Sequence, residues 1–375
     1  MKRVLHVLVS LERSGMEMML LNSAEEWARA GYACDIVASA TNIGPLAPEL
    51  RAAGYGVFHI PFRSKFRYAP RWRFITDYYR LCKSGYDVVH IHTEAATHLF
   101  VILAKLAGVS RIALTPHNTF RFAGLLRIRK ALERRFNRLL GSKYGMISNS
   151  VQKCEWERFR NRGVRISNWL DTIHYRPPAP EERFAARSSL CCQEEQLVIV
   201  SIGNCNDAKN HSEILRAISL LPAAVAPLYV HVGKELADQP ERALAAELNL
   251  AERVRFLGSQ GDPRQFLWAA DAYVMPSLCE GLGISALEAI ACGVPAVLVN
   301  IDGLADIASE TDSVVLTSTA AQSIADGIAQ VASTQIVERQ ARALLDSARI
   351  RELYSIPNGV QSVINGLYRR DQSAA

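Results

Sequence analysis

The chain is poor in the features that usually betray a specialised protein. It has eight cysteines, at 34, 82, 154, 191, 192, 205, 279 and 292, but they are scattered through apolar stretches and none forms a C-x-x-C pair. Neither a disulfide framework nor a zinc-ribbon spacing is present. No window approaches the roughly 20 apolar residues a membrane-spanning helix requires, and Glu12 and Arg13 cut short the apolar run of Met1–Ser10 before it could form a signal-peptide core. We therefore expect a cytoplasmic protein with reduced thiols. No fixed-period repeat and no low-complexity tract interrupts the 375 residues. With 49% hydrophobic and 21% charged residues, wholesale disorder, collagen and coiled coil are excluded.

That length exceeds what one hydrophobic core supports and suits two domains. The modest net charge of +6 hides an asymmetry. Residues 1–180 hold 28 of the 43 Lys and Arg but 13 of the 37 Asp and Glu, a net of +15, which leaves −9 for the rest. A basic half calls for an anionic partner.

Short β-branched runs alternate with amphipathic stretches in both halves, which predicts parallel sheets wound by right-handed crossovers. In the first half the expected strands are Arg3–Ser10, Cys34–Ala38, Val57–Pro61, Asp87–His92, Arg111–Pro116 and Met146–Asn149, with a helix from about Glu17 to Ala30. The Pro-rich stretch Arg176–Ala186 lies where the charge changes sign and reads as a linker. Strands are then expected at Leu197–Ile202, Leu228–Val232, Val254–Leu257, Ala272–Met275, Ala296–Asn300 and Ser313–Leu316. The expected fold is α/β: two Rossmann-like, doubly wound lobes, residues 1–178 and 187–355, facing a cleft. A C-terminal helical segment, 356–375, is assignable to either lobe.

The segment with most chemistry is Ser277–Pro295, SLCEGLGISALEAIACGVP, between two expected strands. Gly281 and Gly283 admit a ligand close to backbone N–H groups, and a helix starting near Ser285 directs its positive end to the same place, which makes an anion site. Glu280 and Glu288 suit hydrogen bonds from sugar hydroxyls. Ser285-Ala-Leu-Glu288 equally fits a capping box, in which Glu288 only closes the helix start.

This E-x7-E pattern resembles the signature of the retaining glycosyltransferases of family 4, which have the two-lobed GT-B architecture. Further stretches are similar in the same order: SGMEMMLLNSA, DVVHIHTEAAT, LTPHNTF and ISNWLDTIHYRP in the first half; SIGNCNDAKNHSEILRA, LYVHVGKE and VRFLGSQGDPRQFLWAADAYVMPS in the second. The resemblance implies that Glu288 holds the ribose of a nucleotide and Glu280 the transferred sugar, with backbone amides of Gly281, Leu282 and Gly283 at the sugar or diphosphate. It implies that Lys209 neutralises the diphosphate and Gly15 admits it from the opposite lobe, that Gly203 and Asn204 belong to the donor-binding loop, and that His117 hydrogen-bonds the sugar near the reacting carbon. It implies no metal or other cofactor, because Lys209 and the helix terminus can carry the charge of the departing diphosphate. His90 and His92 suggest metal ligands, but we read them as facing opposite sides of their strand, with one of the two in the cleft wall.

Three positions depart from the family pattern. Asn204 stands where an arginine is common; losing such a charge-assisted bond costs about 1.5–3 kcal/mol unless another donor replaces it. Ser14 precedes Gly15 where a second glycine is common, and Trp169 occupies a usual glycine position, expected to narrow the cleft or hinge.

Basic residues cluster in PFRSKFRYAPRWRF, with Phe66, Tyr68, Trp72 and Phe74 among the charges, and in RFAGLLRIRKALERRFNRLL. In the second, Leu125, Ile128, Leu132, Phe136 and Leu139 recur at helical spacing, while Arg127, Lys130, Arg134, Arg135 and Arg138 mostly take the other faces. Such a helix fits an anionic bilayer or an acceptor surface; the plain alternative is a core-facing helix with a solvated charged side. No recognition module accompanies the charge, so nucleic acid is not expected. The reading is a hexosyltransferase at the inner membrane face. It would act on a nucleotide sugar and a lipid-linked saccharide in polysaccharide synthesis. The alternatives are an impaired sugar-nucleotide binder and a sugar-nucleotide epimerase.

Overall fold

The computed structural model describes residues 1–62, 72–193 and 195–369. Contacts divide the chain into two units, Met1–Asp171 with the segment from Tyr354 onward, and Thr172–Leu353.

The first unit is built on seven strands: β1 (Lys2–Leu8), β2 (Tyr32–Ala38), β3 (Gly56–His59), β4 (Val88–Ile91), β5 (Arg111–Leu114), β6 (Lys143–Met146) and β7 (Val164–Arg165). All pair in parallel, in the order β3-β2-β1-β4-β5-β6-β7. The second unit has six, β8 (Val198–Ile202), β9 (Leu228–Val232), β10 (Val254–Phe256), β11 (Ala272–Met275), β12 (Ala296–Val299) and β13 (Val314–Thr317), in the order β10-β9-β8-β11-β12-β13, again all parallel. Central strands such as AYVM and AVLV are buried throughout, as a parallel sheet with helices on both faces demands. The order reverses between β1 and β4 in one unit and between β8 and β11 in the other. Just outside the carboxyl ends of those strands is where doubly wound sheets take ligands.

Several expectations shift. The helix read from Glu17 to Ala30 breaks into Gly15–Asn22 and Ala24–Arg29. The cause is Ser23, whose hydroxyl donates to the Met19 and Leu20 carbonyls at 2.8 and 3.2 Å, competing with the regular ladder. Arg176–Ala186 is not a linker. Arg176 pairs through both guanidinium nitrogens with Glu182 at 2.7 Å, and Pro180–Ser189 is a helix of the second unit.

The segment Ile356–Val363 is helical and continues as a wider turn, Ile364–Tyr368, both within the first unit. It explains Trp169. That indole is buried, donates from Nε1 to the Met19 carbonyl at 2.9 Å, and lies against Gly359, where a Cβ would come within 2.4 Å of the ring. Its bulk is absorbed inside the first unit's core, not at a ligand-facing wall.

Candidate functional site

In the second unit, the loop after β8 carries Gly203, Asn204 and Lys209, and the loop after β11 carries Glu280 to Gly283. Gly233, at the end of β9, lets the neighbouring loop close in: a Cβ there would lie 2.0 Å from the Gly203 carbonyl oxygen. Lys209 Nζ meets Glu280 Oε1 at 2.5 Å, with a quarter of the lysine side chain still exposed. Asn204 is exposed; its Oδ1 accepts from the Lys234 N–H at 2.9 Å, a bond to the loop after β9 that an arginine could not accept.

The helix after the glycines runs Ile284–Ala291, with Gly283 at its N-cap in the left-handed region, φ 77°. Ser285 therefore lies inside the first turn. Its hydroxyl is hydrogen-bonded to the Tyr273 hydroxyl at 2.9 Å and donates to the Ile202 carbonyl at 3.2 Å. The capping box is thereby excluded: Glu288 sits a turn too deep to reach the helix start. Its carboxylate accepts from the Tyr175 hydroxyl, and burial pushes its pKa up to about 7 despite that bond. Gly281 and the Leu282 side chain are also buried. Sequence reasoning assigned no role to Tyr175, although it lies in the family-like stretch ISNWLDTIHYRP.

In the first unit, Gly15 is exposed and opens the helix Gly15–Asn22, while the Ser14 hydroxyl donates to Glu17. Past the ends of β4 and β5 lies a file of imidazoles. His6 Nδ1 and His92 Nε2 are 3.0 Å apart, and His92 Nδ1 and His117 Nε2 are 2.9 Å apart. Burial holds all three well below the ordinary histidine pKa, His6 to about 3 and His117 to about 4, so each ring is neutral with one N–H. His6 Nε2 has no hydrogen-bond partner among the described residues. A stranded buried donor would be costly; placing the His6 proton on Nδ1 avoids it. The file then donates from His6 to His92 to His117, which assigns the remaining proton to His117 Nδ1. His117 is thus a neutral hydrogen-bond donor.

The reading of His90 and His92 requires correction. Residues two apart on a strand share a face, and the two rings lie 4.0 Å apart between centroids. His90 is fully engaged, Nδ1 with the Tyr368 hydroxyl and Nε2 with the Thr115 hydroxyl, both at 2.8 Å.

The basic helix Gly124–Leu139 also reverses expectation. Lys130 and Arg134, read as surface cations, are 5% and 3% exposed. Arg134 binds Glu155 through two nitrogens at 2.6 and 2.7 Å and Glu94 at 2.8 Å; Lys130 pairs with Glu133 at 2.9 Å. Arg127, Arg135 and Arg138 remain exposed. The outer face is the apolar one: Leu125 is 85% and Leu139 78% exposed, with Ile128, Leu132 and Phe136 exposed between them. Of the other cluster, Trp72 is exposed, Phe74 is a core residue stacked on Tyr78, and Phe66 and Tyr68 lie outside the described residues. No helix among the described residues is long and apolar enough to cross a membrane.

Comparison with known proteins matches two adjoining family models to this frame, Glycosyltransferase Family 4 over residues 13–153 and Glycosyl transferases group 1 over 182–346. EpsF of Bacillus subtilis, named a glycosyltransferase, is 25% identical over 79% of this chain and 79% of its own. The Escherichia coli UDP-Gal:alpha-D-GlcNAc-diphosphoundecaprenol alpha-1,3-galactosyltransferase is 28% identical over 61% of this chain and 62% of its own, just under two thirds. Among solved structures, Anabaena HepE in complex with UDP and glucose superposes with a TM-score of 0.81 at 18% identity, over 98% of this chain and all of that one. From two family models that between them take in most of both units, and a fold shared end to end, it follows that this chain belongs to the family-4 type of glycosyltransferases, with the GT-B architecture.

Proposed function

We propose that this glycosyltransferase binds a nucleoside-diphosphate sugar in its second unit and moves the hexose, with retention, to a hydroxyl of a lipid-linked saccharide. The arrangement around β8 and β11 carries the reading. Lys209, a glycine-bearing helix start and two carboxylates with different partners meet at one sheet end. Glu288 would accept hydrogen bonds from the ribose hydroxyls, Glu280 from the sugar, and Lys209 with the helix N-terminus would hold the diphosphate. Glu280 pairs with Lys209; a diphosphate would compete for the same ammonium and leave Glu280 for the sugar. Without an evident protein nucleophile, a leaving phosphate oxygen would take the acceptor proton while the new bond forms on the same face. His117, a neutral donor, would hydrogen-bond the sugar. No metal is needed, since fixed charge already faces the leaving group.

The lipid-linked acceptor is supported by the relative whose name specifies one, and by the outer face of Gly124–Leu139. Its apolar row flanked by Arg127, Arg135 and Arg138 suits the headgroup layer of an anionic bilayer. The protein would then work as a peripheral enzyme at the cytoplasmic membrane face.

Calorimetric titration with UDP, GDP and their hexose conjugates, repeated with Glu288→Ala and Lys209→Ala, tests the donor site. Micromolar binding of one nucleotide, lost in both variants, is expected, with UDP the first to try. Binding without transfer to any acceptor would favour a sensor whose site Asn204 has weakened, and interconversion of the free sugar nucleotide would favour an epimerase. No nucleotide binding at all would end the proposal.

A further inference from the structure

Behind the loop of Gly203 and Lys209 lies a second cluster to which sugar transfer assigns no task. Cys205 follows Asn204, His211 follows Lys209 by two residues, and His231 stands on β9. Each offers a ligand atom, and these atoms lie within 4.8 Å of one another. All three side chains are buried, as is Glu241, whose carboxylate faces the Cys205 thiol.

The hydrogen bonding of the cluster is incomplete in a particular way. His231 Nδ1 and Ser201 Oγ are 3.1 Å apart, and Ser201 is in turn 2.7 Å from the Tyr229 hydroxyl. With Nδ1–H donating to Ser201, the Nε2 lone pair is directed at Cys205 Sγ, 3.3 Å away. A ring nitrogen held by an outer partner so that the other nitrogen presents its lone pair is how metal-binding histidines are oriented. His211 Nδ1 and Glu241 Oε2 have no hydrogen-bond partner among the described residues. The stranded His211 nitrogen, on a buried ring beside a thiol and a second imidazole, calls for a partner. The separation of Sγ from Nε2 is close to the roughly 3.6 Å edge that bond lengths to zinc of about 2.3 and 2.05 Å give in a tetrahedron. The other histidine cluster, His6, His90 and His92, differs: both nitrogens of His90 are already taken.

We propose that Cys205, His211 and His231 bind one divalent ion of the zinc class. Thiolate and imidazole are ligands such an ion takes, whereas magnesium or calcium would require oxygen donors. On binding, the ion replaces the proton between Sγ and Nε2: the S–H bond breaks, a sulfur–metal bond forms, and one proton passes to water per ion. The ion would pin the loop that carries Asn204 and Lys209 to β9.

Binding of Co2+ and Zn2+ to the full chain, stripped with a chelator and desalted, needs neither donor nor acceptor, so its outcome is separable from that of the donor titration. One Co2+ per chain with a thiolate-to-cobalt charge-transfer absorption is expected, displaced by one equivalent of Zn2+. Cys205→Ser should remove the absorption and weaken binding by more than about tenfold; the double variant Cys191→Ser/Cys192→Ser should leave both unchanged. Should Cys205→Ser not fold, the wild-type chain still decides: its melting temperature should rise and saturate at one equivalent of Zn2+. No retained ion with no thermal shift, or a charge-transfer band that follows Cys191 and Cys192, would overturn the proposal.

Discussion

Both units bring cations onto carboxylates, but they enclose them differently. In the first, Lys130 and Arg134 are sealed beneath their helix among Glu94, Glu133 and Glu155. In the second, Lys209 meets Glu280 at the mouth of a sheet, partly open to water. A sealed pair has no charge left for a ligand, and losing one member strands the other. An open pair exchanges partners at little cost. The same residue types are therefore structural in one unit and available to a ligand in the other.

Arg134→Met should break the sealed network. Glu155 and Glu94 would keep their charge in a low-dielectric site, a loss of about 3–5 kcal/mol, read as a drop in denaturation midpoint with no change of slope. A shift below about 1 kcal/mol would mean that the network is as open as the Lys209 pair.

Lys209→Ala should do the reverse. If Lys209 faces a diphosphate as proposed, removing that fixed charge should cost on the order of 10²-fold in rate or more, while losing a pair that is partly open to water should cost much less stability than Arg134→Met. Nucleotide titration and thermal unfolding on one sample separate the two effects. A large loss of stability with nucleotide binding intact would erase the contrast between the units.

Much of this division was legible before the coordinates, and the failures share a cause. Strands read well wherever apolar β-branched runs are continuous, as in LYVHV and AVLV, because a buried parallel strand needs nothing else. The strand read as Met146–Asn149 is shifted to Lys143–Met146, since Ile147 extends the apolar run past the pairing, and the two-residue β7 has no pattern at all. The helical period of Gly124–Leu139 was visible but its orientation was not. Burying its cations depends on Glu94 and Glu155, which arrive from other elements. Tyr175, the His6 file and the Trp169–Gly359 contact are likewise pairings of distant residues. Spacing supplies local geometry; it carries no information on which remote group completes a site.

The two carboxylates of the proposed donor site offer a finer test. Glu288 has its pKa raised to about 7 by burial, against an ordinary 4.5. If ribose hydroxyls bind its ionised form, as proposed, donor affinity should rise about tenfold between pH 6 and pH 8 as that fraction grows. Stability should move oppositely. A raised carboxyl pKa means the folded state holds the proton more tightly; its contribution is complete below pH 4.5 and lost as pH climbs through 7. Glu288→Gln should flatten both curves. Parallel rather than opposed trends would place the titration on another group.

The smallest effect sharpens the contrast within one helix. If the outer face of Gly124–Leu139 meets an anionic bilayer, each exposed cation contributes about 1 kcal/mol, so Arg135→Gln should weaken binding to vesicles containing phosphatidylglycerol by roughly fivefold. The effect should fade with added salt, because exposed charges are screened, and the melting temperature should not move. Leu139→Ser should weaken the same binding without that salt dependence, since it removes apolar area instead of charge. If neither substitution alters vesicle binding, this apolar row serves some purpose other than a bilayer, and the basic charge of the first unit acts only through the residues it keeps inside.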